Sequence, residues 1–169
     1  MDKVAGIILA GGQSSRMGTN KALLQYQGVA LVDHMRALLR DAGLTEIYIS
    51  GGVPGYDGLA DRNPYHGPAP AMRDLLHDFQ SRYDRLLIVP VDMPLLDARA
   101  LRGLMEARGS VFYAGHPLPA CIAANSYDAV TSVKALLEQA GARSLSLPDD
   151  LLAGMANINT QQQWKAVSG

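Results

Sequence analysis

VAGIILAGGQSSRMGTNK, residues 4–21, begins as an unbroken apolar run and ends in a small polar loop. Val4 to Leu9 carries no alternation, which is the pattern of a parallel strand buried on both faces. Ala10, Gly11 and Gly12 then stop the strand. Without Cβ atoms, Gly11 and Gly12 let the backbone turn sharply and bring its N–H groups close to a ligand. Successive N–H groups in such a turn form an anion-binding concavity. Arg16 adds a planar fork suited to phosphate oxygens, Lys21 adds a mobile point charge, and Gly18 allows a second turn between them. The combination suits a polyphosphate, although a tight strand-to-helix turn with two solvated basic residues would use the same residue types. It is not the Walker pattern, because Gly18 is followed by Thr19 and Asn20 rather than Lys and Ser/Thr. Nor is it the dinucleotide fingerprint Gly-x-Gly-x-x-Gly, because the glycines are adjacent.

Outward from this loop the apolar period alternates between strand and helix. Leu31, Val32, Met35, Leu38, Leu39 and Ala42 follow helical spacing, with Gly43 as a stop. Ile47–Ile49 is a short strand closed by Gly51 and Gly52. Residues 53–68 read as loop. Ala71, Met72, Leu75, Leu76 and Phe79 predict a second helix, and Leu86–Val91 another buried strand. Asp97 can cap a helix carrying Leu101, Leu104 and Met105. Val111–Ala114 and Ala120–Ala123 predict strands around a Pro-bearing turn. Asn125 or Ser126 is expected to cap a helix with Tyr127, Val130, Val133 and Leu137 inward. A short helix is expected over Thr160–Val167. This order predicts a single-domain three-layer α/β/α sandwich over residues 1–169, with a mostly parallel, Rossmann-like sheet. Ligands of such sheets bind beyond the carboxyl ends of the strands, which singles out the loops after Leu9, Ser50 and Val89.

Composition narrows the function classes. The chain has 169 residues, 48% of them hydrophobic and 18% charged, which is globular composition. A formal charge of −1 supplies no basic field for nucleic acid. The one cysteine, Cys121, excludes an internal disulfide and a Cys-based zinc cluster, and its apolar neighbours make it a core residue. No apolar run reaches the roughly 18 residues of a membrane span, and the N-terminus lacks the charged head and cleavage site of a signal peptide. A cytoplasmic protein is expected. The four histidines show no metal-ligand spacing, so His66 and His116 are expected to be solvated.

Leu9–Lys21 resembles the signature loop of the nucleotidyltransferases that activate sugar phosphates and cofactors, and among them most resembles the molybdenum cofactor guanylyltransferases. Their pattern is Leu-Ala-Gly-Gly, three residues, Arg-Met-Gly, two residues, Lys. HGPAPAM (His66–Met72) resembles the Gly-Pro segment that opens the second helix of that family. VPVDMPLL (Val89–Leu96) resembles its Asp-x-Pro metal loop, and NINTQQQW (Asn157–Trp164) its Asn-x-Asn-Thr segment. Two positions depart from the pattern: Asn20 stands where Asp precedes the loop lysine, and Gln161 where Pro follows Asn-Thr.

The resemblance implies a fold of the nucleotide-diphospho-sugar transferase type and a reaction in which a phosphate of molybdopterin attacks the α-phosphorus of GTP, releasing pyrophosphate. Leu9, Ala10, Gly11, Gly12, Arg16, Lys21, Asp61 and Asp92 would then bind nucleotide. Arg16 would neutralise the leaving pyrophosphate, Lys21 would sit on the α-phosphate, and Asp61 would accept from the guanine N1 and N2 donors. Asp92, following a buried strand and preceding Pro94, can either hold Mg²⁺ together with phosphates and water or cap a turn. Asn157 and Asn159 alternate with Ala156 and Ile158, so both amides can face one side, there to bind the pterin acceptor or to satisfy loop backbone. Handover of an unstable pterin suggests transient contacts with cofactor-biosynthesis or acceptor proteins. The alternatives are the same chemistry with CTP or with a sugar- or polyol-phosphate acceptor, and a nucleotide-binding module without turnover. Intact Lys21 and Asp92 argue against the last of these.

Overall fold

The computed structural model describes residues 2–11, 20–62 and 66–168. Gly12, Arg16 and Gly18 of the signature loop lie outside the described residues. In chain order the elements are β1 (Val4–Leu9), a 3-10 turn (Lys21–Leu23), β2 (Gln25–Tyr26), β3 (Val29–Ala30), α1 (Leu31–Asp41), β4 (Ile47–Ser50) and β5 (Gly58–Leu59). There follow α2 (Pro68–Asp78), β6 (Arg85–Pro90), α3 (Ala98–Glu106), β7 (Val111–Tyr113), β8 (His116–Ala123) and α4 (Val133–Gln139). Last come β9 (Arg143–Leu145), a second 3-10 segment (Asp149–Met155) and α5 (Gln161–Ser168).

Seven strands form one sheet in the order β5-β4-β1-β6-β8-β7-β9. β4, β5 and β6 run parallel to their neighbours around β1, whereas β8 is antiparallel to both β6 and β7. Alternation within the strands sends side chains to two cores. Ile8, Leu87 and Val89 meet Leu31, Met35 and Leu39 of α1 and Leu101 and Leu104 of α3 on one face. Ala5, Ile7, Leu86 and Ile88 meet Met72, Leu75 and Leu76 of α2 and Leu136 and Leu137 of α4 on the other. Each of these large side chains gains about 1.5–3 kcal/mol from leaving water. The mostly parallel three-layer sandwich read from the sequence is therefore the fold observed.

Chain direction explains where the site lies. From β1 the chain crosses through α1 to β4 on one side, and after β5 it crosses through α2 to β6 on the other. The two crossovers step in opposite directions along the sheet, which puts α1 and α2 on opposite faces and opens a crevice at the carboxyl ends of β1 and β6.

Several local expectations are met. Asp97 caps α3, its side chain accepting from Arg99 N, and Pro68 occupies the first turn of α2, where its missing N–H costs nothing. The helix expected from Asn125 or Ser126 is not formed; α4 starts only at Val133, capped by Ser132. Residues 124–132 spend their backbone groups elsewhere. Arg73 Nε donates to Tyr127 O (2.8 Å), and Asp128 N donates to Gln139 Oε1 (2.8 Å). The Pro-bearing turn is also relocated: the chain reverses at Ala114–Gly115, and Pro117 and Pro119 lie within β8. Cys121 is fully buried, and burial pushes its thiol up to about 11. His66 is exposed as expected, whereas His116 is half-buried in β8. Among the described residues no helix is long and apolar enough to cross a membrane.

Candidate active site

A cleft of about 320 Å³ opens at the predicted sheet edge, lined by Leu9, Ala10 and Gly11 after β1, Ser50 after β4, Asp61, Gly67 and Pro68 before and at the start of α2, Asp92 after β6, Lys21, Leu118 and Asn157. Three of the loops approach without intervening side chains. Gly51 has φ +110°, and a Cβ there would lie 2.5 Å from Gly11 N and 2.6 Å from Gly11 Cα. A Cβ on Gly58 would collide with Gly51 O. Bare backbone at Gly51 and Gly58 thus lets the loops after β1 and β4 and the start of β5 touch. The carboxylate of Asp61 reaches the same place, 3.7 Å from where a Gly11 Cβ would be.

Lys21 is set by the short turn that carries it. Asn20 caps that turn, its Oδ1 accepting from Ala22 N at 3.0 Å. An amide oxygen caps as well as a carboxylate does, so the departure from Asp at this position keeps the local geometry. Ala22 is fully buried behind Lys21, which directs the ammonium back over the cleft.

Asp92 is held by its flanks. Val91 N donates to Leu9 O (3.0 Å), Met93 is buried, and the Pro94 carbonyl lies 2.8 Å from His34 Nε2 of α1. The Asp92 carboxylate points into the cleft, with Oδ2 3.6 Å from Lys21 Nζ. Both side chains keep about a fifth of their surface, at 20% and 18%, so the pair is sheltered yet reachable from solvent.

The C-terminal segment closes the far wall. Ile158 is buried, and its N donates to Asp92 O at 2.8 Å. On either side of it, Asn157 Nδ2 donates to Asp92 Oδ1 (3.1 Å) and Asn159 Oδ1 accepts from Lys21 Nζ (3.0 Å). The two amides do face one side, as their alternation predicts, and there they hold the two charged residues. The half-buried Trp164 packs α5 against the core, its ring 5.8 Å from that of Tyr26, in the anchoring role expected of it.

Sequence reasoning thus brings Leu9, Ala10, Gly11, Lys21, Asp61, Asp92 and Asn157 to one cleft, with Asn159 behind Lys21. It missed Ser50, Gly51 and His34. The strand order singles out the loop after Ser50 but assigns no contact to Ser50 or Gly51 themselves, and the contact of His34 with Pro94 joins elements 60 residues apart, which no local pattern announces. It also missed Gln163, whose signal was present: Thr160-x-x-Gln163 is a capping box. Its Oε1 accepts from Asn159 N (2.7 Å) and Thr160 N (3.1 Å), while Thr160 Oγ1 accepts from Gln163 N (3.1 Å).

The family of MobA-like NTP transferase domains matches residues 6–151. A molybdenum cofactor guanylyltransferase of Xanthomonas euvesicatoria pv. vesicatoria is 35% identical, over 94% of this chain and 91% of that one. One from Pseudomonas syringae pv. syringae is 37% identical, over 59% of this chain and 53% of its own length. Among solved structures, a molybdopterin-guanine dinucleotide biosynthesis protein A from Archaeoglobus fulgidus superposes with a TM-score of 0.75 at 15% identity, covering 97% of this chain and 96% of that one; at such identity the likeness concerns the fold.

Proposed function

This chain belongs to the family of MobA-like NTP transferases, and we propose that it transfers GMP from GTP to the terminal phosphate of molybdopterin, with release of pyrophosphate and a requirement for Mg²⁺. The observation that carries the reading is the Lys21–Asp92 pair, one cation and one carboxylate 3.6 Å apart at the carboxyl edge of the sheet.

The chemistry asks little covalent work of the protein. An ionised phosphate oxygen of the acceptor forms a bond to the α-phosphorus, the bond from that phosphorus to the bridging oxygen breaks, and pyrophosphate leaves. No general base is needed, because the attacking oxygen is already charged. The task is to align two anions and to stabilise charge where it develops. The backbone at Leu9, Ala10 and Gly11 would receive the nucleotide, and the carboxylate of Asp61 would accept from the guanine N1 and N2 donors. Lys21 would meet the α-phosphate oxygens, an interaction worth about 3 kcal/mol by comparison with other preorganised donors. Arg16 keeps the role implied by the signature loop, on the pyrophosphate.

The donor set suits Mg²⁺. Among the described residues no three His, Cys, Asp or Glu side chains cluster, so a cage of the zinc type has no support. A single sheltered carboxylate facing a cleft matches an ion that takes one or two carboxylates and completes its shell with phosphate and water. Asp92 would hold the ion, which when bound would neutralise part of the triphosphate charge.

The test is pyrophosphate release from GTP, CTP, ATP and UTP, each with and without molybdopterin and Mg²⁺. GTP with molybdopterin and Mg²⁺ should be the productive mixture, and Asp92→Ala should abolish release while leaving the fold intact by circular dichroism. A preference for CTP would retire the guanine assignment, and full turnover in Asp92→Ala would retire the metal assignment.

A further inference from the structure

We propose that Gln163 is a positioning residue for nucleotidyl transfer, acting through Asn159 on the ammonium of Lys21. The proposal rests on the transferase reading for its kinetic consequence but not for its structural content. A lysine charge sits on a flexible stem and loses much rotamer freedom when it is held in one place. Among the partners that hold Lys21 are the carboxylate of Asp92 and the amide oxygen of Asn159. Of these, the second is neutral. An amide acceptor fixes the ammonium without cancelling its charge, and it remains available when the Asp92 charge is shared with a cation.

Asn159 can do this only if its own backbone is fixed, and it lies in a short segment between the exposed Asn157 and Thr160. Burial of Ile158 fixes one side. On the other side the work falls to Gln163, whose Oε1 takes both the Asn159 and the Thr160 N–H. The reciprocal bond from Gln163 N to Thr160 Oγ1 locks that arrangement to the first turn of α5. The Gln163 side chain is exposed, and what it contributes to this segment is the capping box rather than a place in the core. Gln161, one residue past Thr160, replaces the proline expected there, so helix entry at α5 relies on this capping box rather than on a preset φ.

The experiment compares Gln163→Ala with Gln163→Glu, which keeps the acceptor oxygen. ¹³C relaxation at Lys21 Cε in the free protein reads the contact chain directly, and steady-state pyrophosphate release reads its consequence. Gln163→Ala should raise the mobility of Lys21 Cε and lower kcat about tenfold, with KM for GTP changed less than threefold. Gln163→Glu should restore both to within twofold of the parent. Unchanged Lys21 mobility in Gln163→Ala overturns the proposal. So does an equal loss in Gln163→Glu, or a loosened Lys21 with undiminished kcat. If Lys21 loosens as expected but the parent protein releases no pyrophosphate from any nucleotide, the transferase reading fails and the coupling stands.

Discussion

Replacing Gly51 by alanine tests whether the contact between strand ends is what shapes the cleft. The added Cβ would lie 2.5 Å from Gly11 N, 2.6 Å from Gly11 Cα and 3.1 Å from Ala10 C, all backbone atoms that cannot rotate aside. Comfortable separation is about 3.5 Å, so the loops after β1 and β4 must part by roughly 1 Å. The φ of +110° adds strain for any L side chain. Together these should lower stability by about 2–4 kcal/mol. The larger effect should be functional, because Gly11 lines the cleft and a displacement of about 1 Å can cost on the order of a hundredfold in rate. Gly52→Ala is the matched control, since a Cβ there meets nothing within 4 Å. Urea denaturation gives the first quantity, and kcat/KM for GTP with molybdopterin gives the second. Parental stability and kcat/KM in Gly51→Ala, or equal damage from Gly52→Ala, would refute the argument.

Three further outcomes are expected. Arg85 is 5% exposed and donates to the carbonyls of Met105, Ala107 and Gly109 at and beyond the end of α3, with its Nε 2.8 Å from Asp2 Oδ2 but not aligned as a hydrogen bond; Arg85→Met should cost about 3 kcal/mol in urea denaturation and leave kcat unchanged, because it opens β6 at the amino end of the strands, away from the cleft. The side-chain and backbone hydrogen bonds from Arg99 hold the Asp97 carboxyl at about 2, below its ordinary 3.8. Its contribution is therefore complete above pH 3.8 and lost as pH falls toward 2; because the pair is exposed and screened, the difference between parent and Asp97→Asn over that window should stay below about 1 kcal/mol and shrink in salt. The single thiol, Cys121, should resist Ellman's reagent at pH 8 in the native protein and react fully in urea, and rapid native labelling would contradict its burial.

The elements legible in the sequence are those whose local pattern and tertiary role agree. β1, and β6 from Leu86 onward, are apolar and are central strands; α1, α2 and α3 carry clear apolar faces and lie against the sheet. What escaped is what exists only by pairing. β5 has two residues and β9 three, and neither has a face of its own to read. The β2–β3 hairpin rests on a turn with positive φ at both Gln27 (50°) and Gly28 (85°), a type favoured by Asn-Gly rather than Gln-Gly. The false helix start at Asn125 followed the local capping rule and lost to bonds with Arg73, which donates to Tyr127 O, and Gln139, which accepts from Asp128 N. At the site the residue types were readable and their partners were not. Asn157 and Asn159 look like ligand contacts in sequence, and only the fold brings them to Asp92 and Lys21.

Those partnerships have a temporal consequence. Lys21 and Asn159 are 138 residues apart, and Asp92 and Asn157 are 65 apart. A ribosome adding about 5–20 residues per second needs roughly 7–30 s to pass from the lysine to its amide. During that interval β1, α1 and β4 can dock early, while the ammonium waits without its neutral neighbour. Competence for catalysis should therefore appear as a late step of biogenesis, after most of the sheet has assembled, and a stalled nascent chain ending before residue 157 should be compact and inert.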